Sequence, residues 1–247
     1  MIIHTDTHIW YAIKEGKHQE LFDLGVRPNY LNYFEINSSL KMIHDLDKLK
    51  VATINLIKFL DVAIKYTPFE FLIKESKNID VANAYREDLF NSYESLGENI
   101  EIFKYIKTID PDILKKFILE DRNTFIETAK TFSIFLNGLK NEKKTIPVQF
   151  FYHMFDIACK KDCKYPLPIE FYDKELFIKV LSEYTNDFIL GNKKTVKKND
   201  WIDLLNMAYV DKGDLYWVKE TQWLEYIDRA NLKHYLFDGD KYLIEGY

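Results

Sequence analysis

Residues 215–223 read LYWVKETQW. Leu215 to Val218 is a run of β-formers too short for a helix. Glu220 follows it, and TQWLEYIDRA, from Thr221, has helical spacing. A strand that hands an acid to a helix start decides the fold class. In a parallel sheet, ligand sites form just outside the carboxyl ends of the strands. Working outward, HYLF (His234 to Phe237) is another short strand candidate, and Asp238-Gly239 after it is a turn signal. Upstream, Asn199-Asp200 can cap a helix over WIDLLNMAYV that ends near Gly213. Asp211 and Asp214 flank that glycine and read as a turn.

The other end of the chain mirrors this pattern. MIIHTDTHIWY reads as a short buried strand ending near Asp6, with a helix beginning just after it. VRPNYLNYFEINSS reads as a loop at Pro28 followed by a helix start that carries Glu35. Between the two ends the pattern is helical. Leu40, Ile43, Leu46, Leu49, Ile54, Ile57, Leu60 and Ile64 fall on one face of a long helix. Asp80 can cap VANAYREDLFNSY, and Asp110 precedes Pro111, a favoured first-turn residue. Asp121 to Asn137 is amphipathic, with Gly138 as its expected C-cap. PVQFFYHMFDIACKK and DKELFIKVLSEYTNDFIL complete the helical middle. The expected fold is α/β: a small parallel β-sheet flanked by helices, with a large α-helical insertion. The expected layout is one domain over residues 1–247. Its sheet-forming halves fall at about 1–40 and 195–247, and its insertion at about 41–194.

Composition narrows the function classes. The 247 residues are 47% hydrophobic and 30% charged, which supports a core and excludes a disordered chain. No Pro/Gly/Ser-rich linker divides the chain. No apolar run approaches the roughly 20 residues of a membrane span. The N-terminus lacks a charged leader and a small-residue cleavage site, and Cys159 and Cys163 are the only cysteines, so a reducing cytoplasm is expected. The net charge of −5 argues against tight non-specific nucleic-acid binding. It is compatible with a nuclease whose carboxylates hold metal ions.

Four acids fall where a sheet would gather them: Asp6, Glu35, Asp203 and Glu220. Phosphodiester hydrolysis needs a nucleophilic water and relief of charge on the leaving oxygen, and Mg²⁺ or Mn²⁺ can serve both needs. Such ions take carboxylate oxygens. Each acid also has a plainer reading. Asp6 can cap a helix, Glu35 can be a solvated first-turn acid, and Glu220 can simply start TQWLEYIDRA. Asp200 is the substitute for Asp203, and Thr7 either lends a hydroxyl or caps. Lys193, Lys194, Lys197 and Lys198 can guide phosphates or form a solvated loop. His153, Cys159 and Cys163 do not match a zinc ligand pattern.

With Asp6-Thr7 after the first strand, Glu35 in a helix start, Asp203 in NDWIDLLNMAY and Glu220 in LYWVKETQW, the chain resembles the PIN-like domains of the metal-dependent ribonucleases. The resemblance covers the two ends and not the helical middle. It implies a parallel sheet flanked by helices, an Mg²⁺ or Mn²⁺ site and endoribonuclease activity on RNA, with single strands as the expected substrate. His8 stands where the family often has Asn or Ser, Val218 where it usually has Thr, and Glu220 where it usually has Asp. A second reading is a catalytically degenerate PIN-like module that binds RNA, or a protein partner through the helical insertion. A haloacid-dehalogenase-like phosphatase is excluded, because it needs an acid two residues after Asp6.

Overall fold

The computed structural model describes residues 1–39, 41–73, 84–96, 103, 106–121, 123–140, 145–154, 171–193 and 197–246. The expected roles of Leu40, Asp80, Cys159, Cys163 and Lys194 lie outside them. The protein is mostly helical around one small parallel sheet. Strand β1 spans Ile3–Thr5, β2 Val26–Arg27 and β3 Leu215–Trp217, in the order β2-β1-β3. Ile3 pairs with Val26 and Leu215, His4 with Arg27 and Tyr216, and Thr5 with Trp217.

Helices run in chain order as α1 (His18–Asp23), α2 (Tyr30–Asn37), α3 (Lys41–His44), α4 (Leu46–Ile57), α5 (Pro68–Ile73) and α6 (Ala84–Leu96). They continue as α7 (Pro111–Asp121), α8 (Asn123–Lys140), α9 (Glu175–Ile189), α10 (Lys198–Met207) and α11 (Thr221–Arg229). Helix α9 packs against α8, α10 and α11. It buries Leu176, Phe177, Ile178, Val180, Leu181, Tyr184, Phe188 and Ile189, the wide apolar face that a core helix needs. Trp10, Trp217 and Trp223 are fully buried around the sheet. Among the described residues no helix is long and apolar enough to cross a membrane.

Several expectations are corrected. The segment after Asp6 is a 3₁₀ turn, Thr7–Tyr11, rather than an α-helix. Val26–Arg27, read as loop, is the second strand. HYLF is not a strand: Lys233–Tyr235 is 3₁₀, and the segment meets β3 at one isolated parallel bridge, Leu236 with Tyr216, where Phe237 N donates to Tyr216 O. The long helix expected over Leu40 to Ile64 breaks at Asp45, whose carboxylate caps α4 by accepting from Lys48 N. Ile64 instead lies alongside Asn29, donating to Pro28 O at 2.8 Å. Helix α8 runs through Gly138 to Lys140. The cap of α10 is Lys197, not Asn199 or Asp200, and the helix ends at Met207, well before Gly213. Gly213 does form the expected turn, at φ 95° with Asp214 N donating to Asp211 O.

Candidate functional site

Asp6 is the first residue beyond β1. Its N–H donates to Trp217 O at 2.9 Å, which extends the ladder by one rung and sets the side chain at the carboxyl edge of the sheet. Its Oδ1 accepts from Thr7 N at 2.7 Å, the capping bond that starts the 3₁₀ turn. Its Oδ2 is buried and receives no hydrogen bond. The nearest cation is His8 Nδ1 at 3.4 Å, an ion-pair distance longer than a well-formed hydrogen bond. Asp6 therefore performs its plainer capping role with one oxygen, and its other oxygen faces the His8 imidazole.

Glu35 is tied to the same edge by helix α2. Asn29 caps that helix, accepting from Leu31 N and Asn32 N, and Asn32 returns a bond from Asn29 N. Asn32 then reaches β1, donating to Thr5 O at 3.1 Å and to Thr7 Oγ1 at 3.2 Å. Thr7 Oγ1 in turn donates to Glu35 Oε2 at 2.5 Å. Glu35 thus sits in the second turn of α2, not at its start, and Thr7 both opens the 3₁₀ turn and orients Glu35.

Asp203 also lies in the second turn of its helix, α10, and is 7% exposed. Trp223 Nε1 donates to its Oδ2 at 3.2 Å. Burial pushes its pKa well above the usual carboxylate value, and Asp6, Glu35 and Glu220 push it further. Glu220 is the residue before α11, and its side chain makes no capping bond. Burial and Asp6 raise its pKa, while His8, 3.0 Å away, works against them. His8 itself is pushed up to about 9, first by its contact with Asp6 and then by the charges of Asp6, Glu220 and Glu35, so its imidazole is cationic at neutral pH.

The structure therefore brings the four acids into one electrostatic neighbourhood. Among the described residues the group with ligand atoms all within 4.8 Å of one another is Asp6, His8 and Glu220, without Glu35 or Asp203. Glu35 enters through Thr7, and Asp203 through the Trp223 side. His8, Asn32 and Trp223 were not among the residues singled out for the site. The signal available for His8 was its position two residues after Asp6, which a 3₁₀ turn folds back toward the capping acid.

Asp200 is differently employed. Its Oδ2 accepts from Tyr184 OH at 2.7 Å and Lys197 N at 3.1 Å, and it pairs with Lys193 Nζ at 3.0 Å. Its Oδ1 faces Gln222 Nε2 at 3.4 Å. Both oxygens are committed to joining α9, α10 and α11. Lys193 is correspondingly held, over the Tyr184 ring at 4.5 Å and against Gln222 Oε1 at 3.0 Å. Lys197 is exposed, and Lys198 opens α10. His153, the described member of the rejected zinc set, is exposed. Compared with known protein families, curated proteins and solved structures, the chain matches none.

Proposed function

We propose that this protein is a divalent-metal-dependent endoribonuclease with a PIN-like catalytic edge, acting on single-stranded RNA. The observation that carries the reading is the pairing of Asp6 and Glu220 beside the carboxyl ends of β1 and β3, their ligand atoms within 4.8 Å of each other and of His8, with the charges of Asp6, Glu35 and Glu220 all felt at the buried Asp203. Burial first, and then the nearby charges of Asp6, Glu35 and Glu220, raise the Asp203 pKa, so its ionised form is disfavoured without a counter-ion. A hard divalent ion would serve as that counter-ion, and the Asp6 and Glu220 carboxylates, grouped with the His8 imidazole, offer oxygens of the kind Mg²⁺ or Mn²⁺ takes. Asp6 and Glu220 would hold the ion, with Asp203 and Glu35 completing the charge around it. Bound there, it supplies Lewis acidity for the water and for the leaving oxygen.

The chain's own groups do the positioning. Thr7 fixes the Glu35 carboxylate, Trp223 fixes that of Asp203, and the β1–β3 ladder fixes Asp6. In the hydrolysis, the oxygen of water forms a bond to phosphorus and the bond from phosphorus to the 3′ oxygen breaks. The 3′ oxygen leaves with a proton, giving 5′-phosphate and 3′-hydroxyl ends.

One observation favours the second reading, a degenerate binding module. The His8 imidazolium already lies between Asp6 and Glu220 and supplies an internal positive charge. Mn²⁺ titration by calorimetry, together with cleavage of a fluorescent single-stranded RNA, separates the two. Asp6→Asn and Asp203→Asn are each expected to slow cleavage by at least about tenfold, roughly 1.4 kcal/mol of barrier. Wild-type cleavage rates in both variants would sink the nuclease reading. RNA binding without Mn²⁺ binding would select the degenerate module.

A further inference from the structure

An edge built of four carboxylates repels the phosphate it is proposed to cleave, so some cation must receive the strand. Most described cations at this edge are already engaged. His8 lies against Asp6 and Glu220, Lys219 binds both oxygens of Asp240 at 2.8 Å, and Lys193 pairs with Asp200. Lys41 differs. Among the described residues no carboxylate lies within ion-pair distance of its ammonium, which rests 3.4 Å above the centre of the Tyr11 ring.

The local chain explains why it stands there. Tyr11 closes the 3₁₀ turn whose first residue, Thr7, donates to Glu35. Helix α2, which carries Glu35, ends at Asn37, and Ser38 caps it with both its N–H and its hydroxyl on Phe34 O. Ser39 Oγ then accepts from Lys41 N at 3.2 Å, starting α3. The turn that leaves β1 and the link that leaves α2 thus meet at the Tyr11–Lys41 pair, where the charge of Glu35 is felt.

We propose that Lys41 is the phosphate-positioning residue of this edge: its ammonium takes a non-bridging phosphate oxygen of the single-stranded RNA, held off the carboxylates by the Tyr11 ring beneath it. This rests on the nuclease reading. A cation held on an aromatic face keeps N–H groups for a second partner. Burial and then the neighbouring charge of Lys48 draw the Lys41 pKa below the usual lysine value, while Asp45 and Glu35 pull it upward.

The test compares wild type, Lys41→Gln and Lys41→Arg on one fluorescent single-stranded RNA in Mn²⁺ at several salt concentrations. Lys41→Gln is expected to raise KM about fivefold or more while kcat stays within about twofold, because a positioning contact acts on binding. The slope of log kcat/KM against log salt should shrink by about 0.7, the loss of one phosphate contact to a single strand. Lys41→Arg should restore both. Calorimetric Mn²⁺ binding should be the same in all three proteins. Wild-type KM and salt slope in Lys41→Gln would overturn the assignment while leaving the metal site standing. A loss of Mn²⁺ binding or of kcat alone would also overturn it, because Lys41 would then serve the acids rather than the strand. A wild type that binds neither Mn²⁺ nor RNA would overturn this assignment and the nuclease reading together.

Discussion

Asp203 is buried and faces three other acids, so in the absence of a counter-ion its charge works against the fold. Its pKa is raised in the folded state, so the folded protein binds the proton more tightly than the unfolded chain does. Stability is then lost as pH rises from the unfolded value of 3.8 through the raised folded value. Asp203→Asn removes that charge and keeps an oxygen to accept from Trp223. In chelator at neutral pH the variant is expected to melt a few degrees above wild type, since each kcal/mol shifts Tm by about 2–4 °C in a chain of this size. In saturating Mn²⁺ the order should reverse, and a variant melting below wild type in both conditions would show that Asp203 is structural. At this scale Asp6 and Glu220 were legible because each follows a short run of β-formers, and that placement can be read from order alone. His8 was not, because its partners are fixed by a 3₁₀ turn that brings residue 8 back over residue 6. Asp200 and Asp203 are three apart on one helix, and only packing distinguishes the acid tied to Lys193 and Tyr184 from the one facing the site.

Short elements were the hard ones to read. Val26–Arg27 is a strand because β1 offers it a parallel partner, and two residues carry no periodicity of their own. HYLF has the composition of a strand but meets β3 at a single bridge. The apolar stripe from Leu40 to Ile64 has helical spacing throughout, yet the Asp45 cap restarts the helix and sends Ile64 to the segment before α2. Strand β1 carries its own titration. His4, at its midpoint, is wholly buried with Nε2 3.3 Å from Asp214 Oδ2. The geometry is that of an ion pair, but burial outweighs the pull of Asp214 and lowers the His4 pKa below 6.5. A depressed histidine contributes stability that is present above 6.5 and lost as pH falls through the folded value. Asp214 works in the same direction at lower pH. Burial raises it, but the His4 and Ile2 contacts leave it below 3.8, so its contribution is lost as pH falls beneath that value. The His4 contribution to the unfolding free energy should therefore decline from pH 7 to pH 5, by at most about 1.4 kcal/mol per pH unit for one proton, against the opposite slope of the raised Asp203 and Glu220. Urea unfolding of wild type and His4→Gln across that range isolates it: the stability difference between the two should change from pH 7 to pH 5, and a constant difference would place the His4 titration elsewhere.

Across the whole molecule, the metal should act as a ligand of the native state and not as a condition for folding. The core around Trp10, Trp217, Trp223 and helix α9 is assembled from apolar contacts that need no ion. The protein is expected to fold cooperatively in EDTA and to gain stability with Mn²⁺, by about 2.7 kcal/mol when free metal is 100-fold above its Kd. Thermal melts with EDTA and with millimolar Mn²⁺ check this, and an unmoved Tm would remove the support for a metal site. The helical bulk and the small parallel sheet at this scale were readable from pattern, since long amphipathic runs announce themselves. How α9 lies against α8, α10 and α11 was not, because those partners are chosen by shape complementarity that no single stretch contains. The pairing of Ile3 with Leu215 also sets a clock. A ribosome adds about 5–20 residues per second, so β3 is synthesised roughly 10 to 40 s after β1. Until then Asp6 has no Trp217 carbonyl to bind and no Glu220 to face. The edge therefore assembles only after most of the polypeptide has been made, and on the nuclease proposal a nascent chain is inert toward the message being translated.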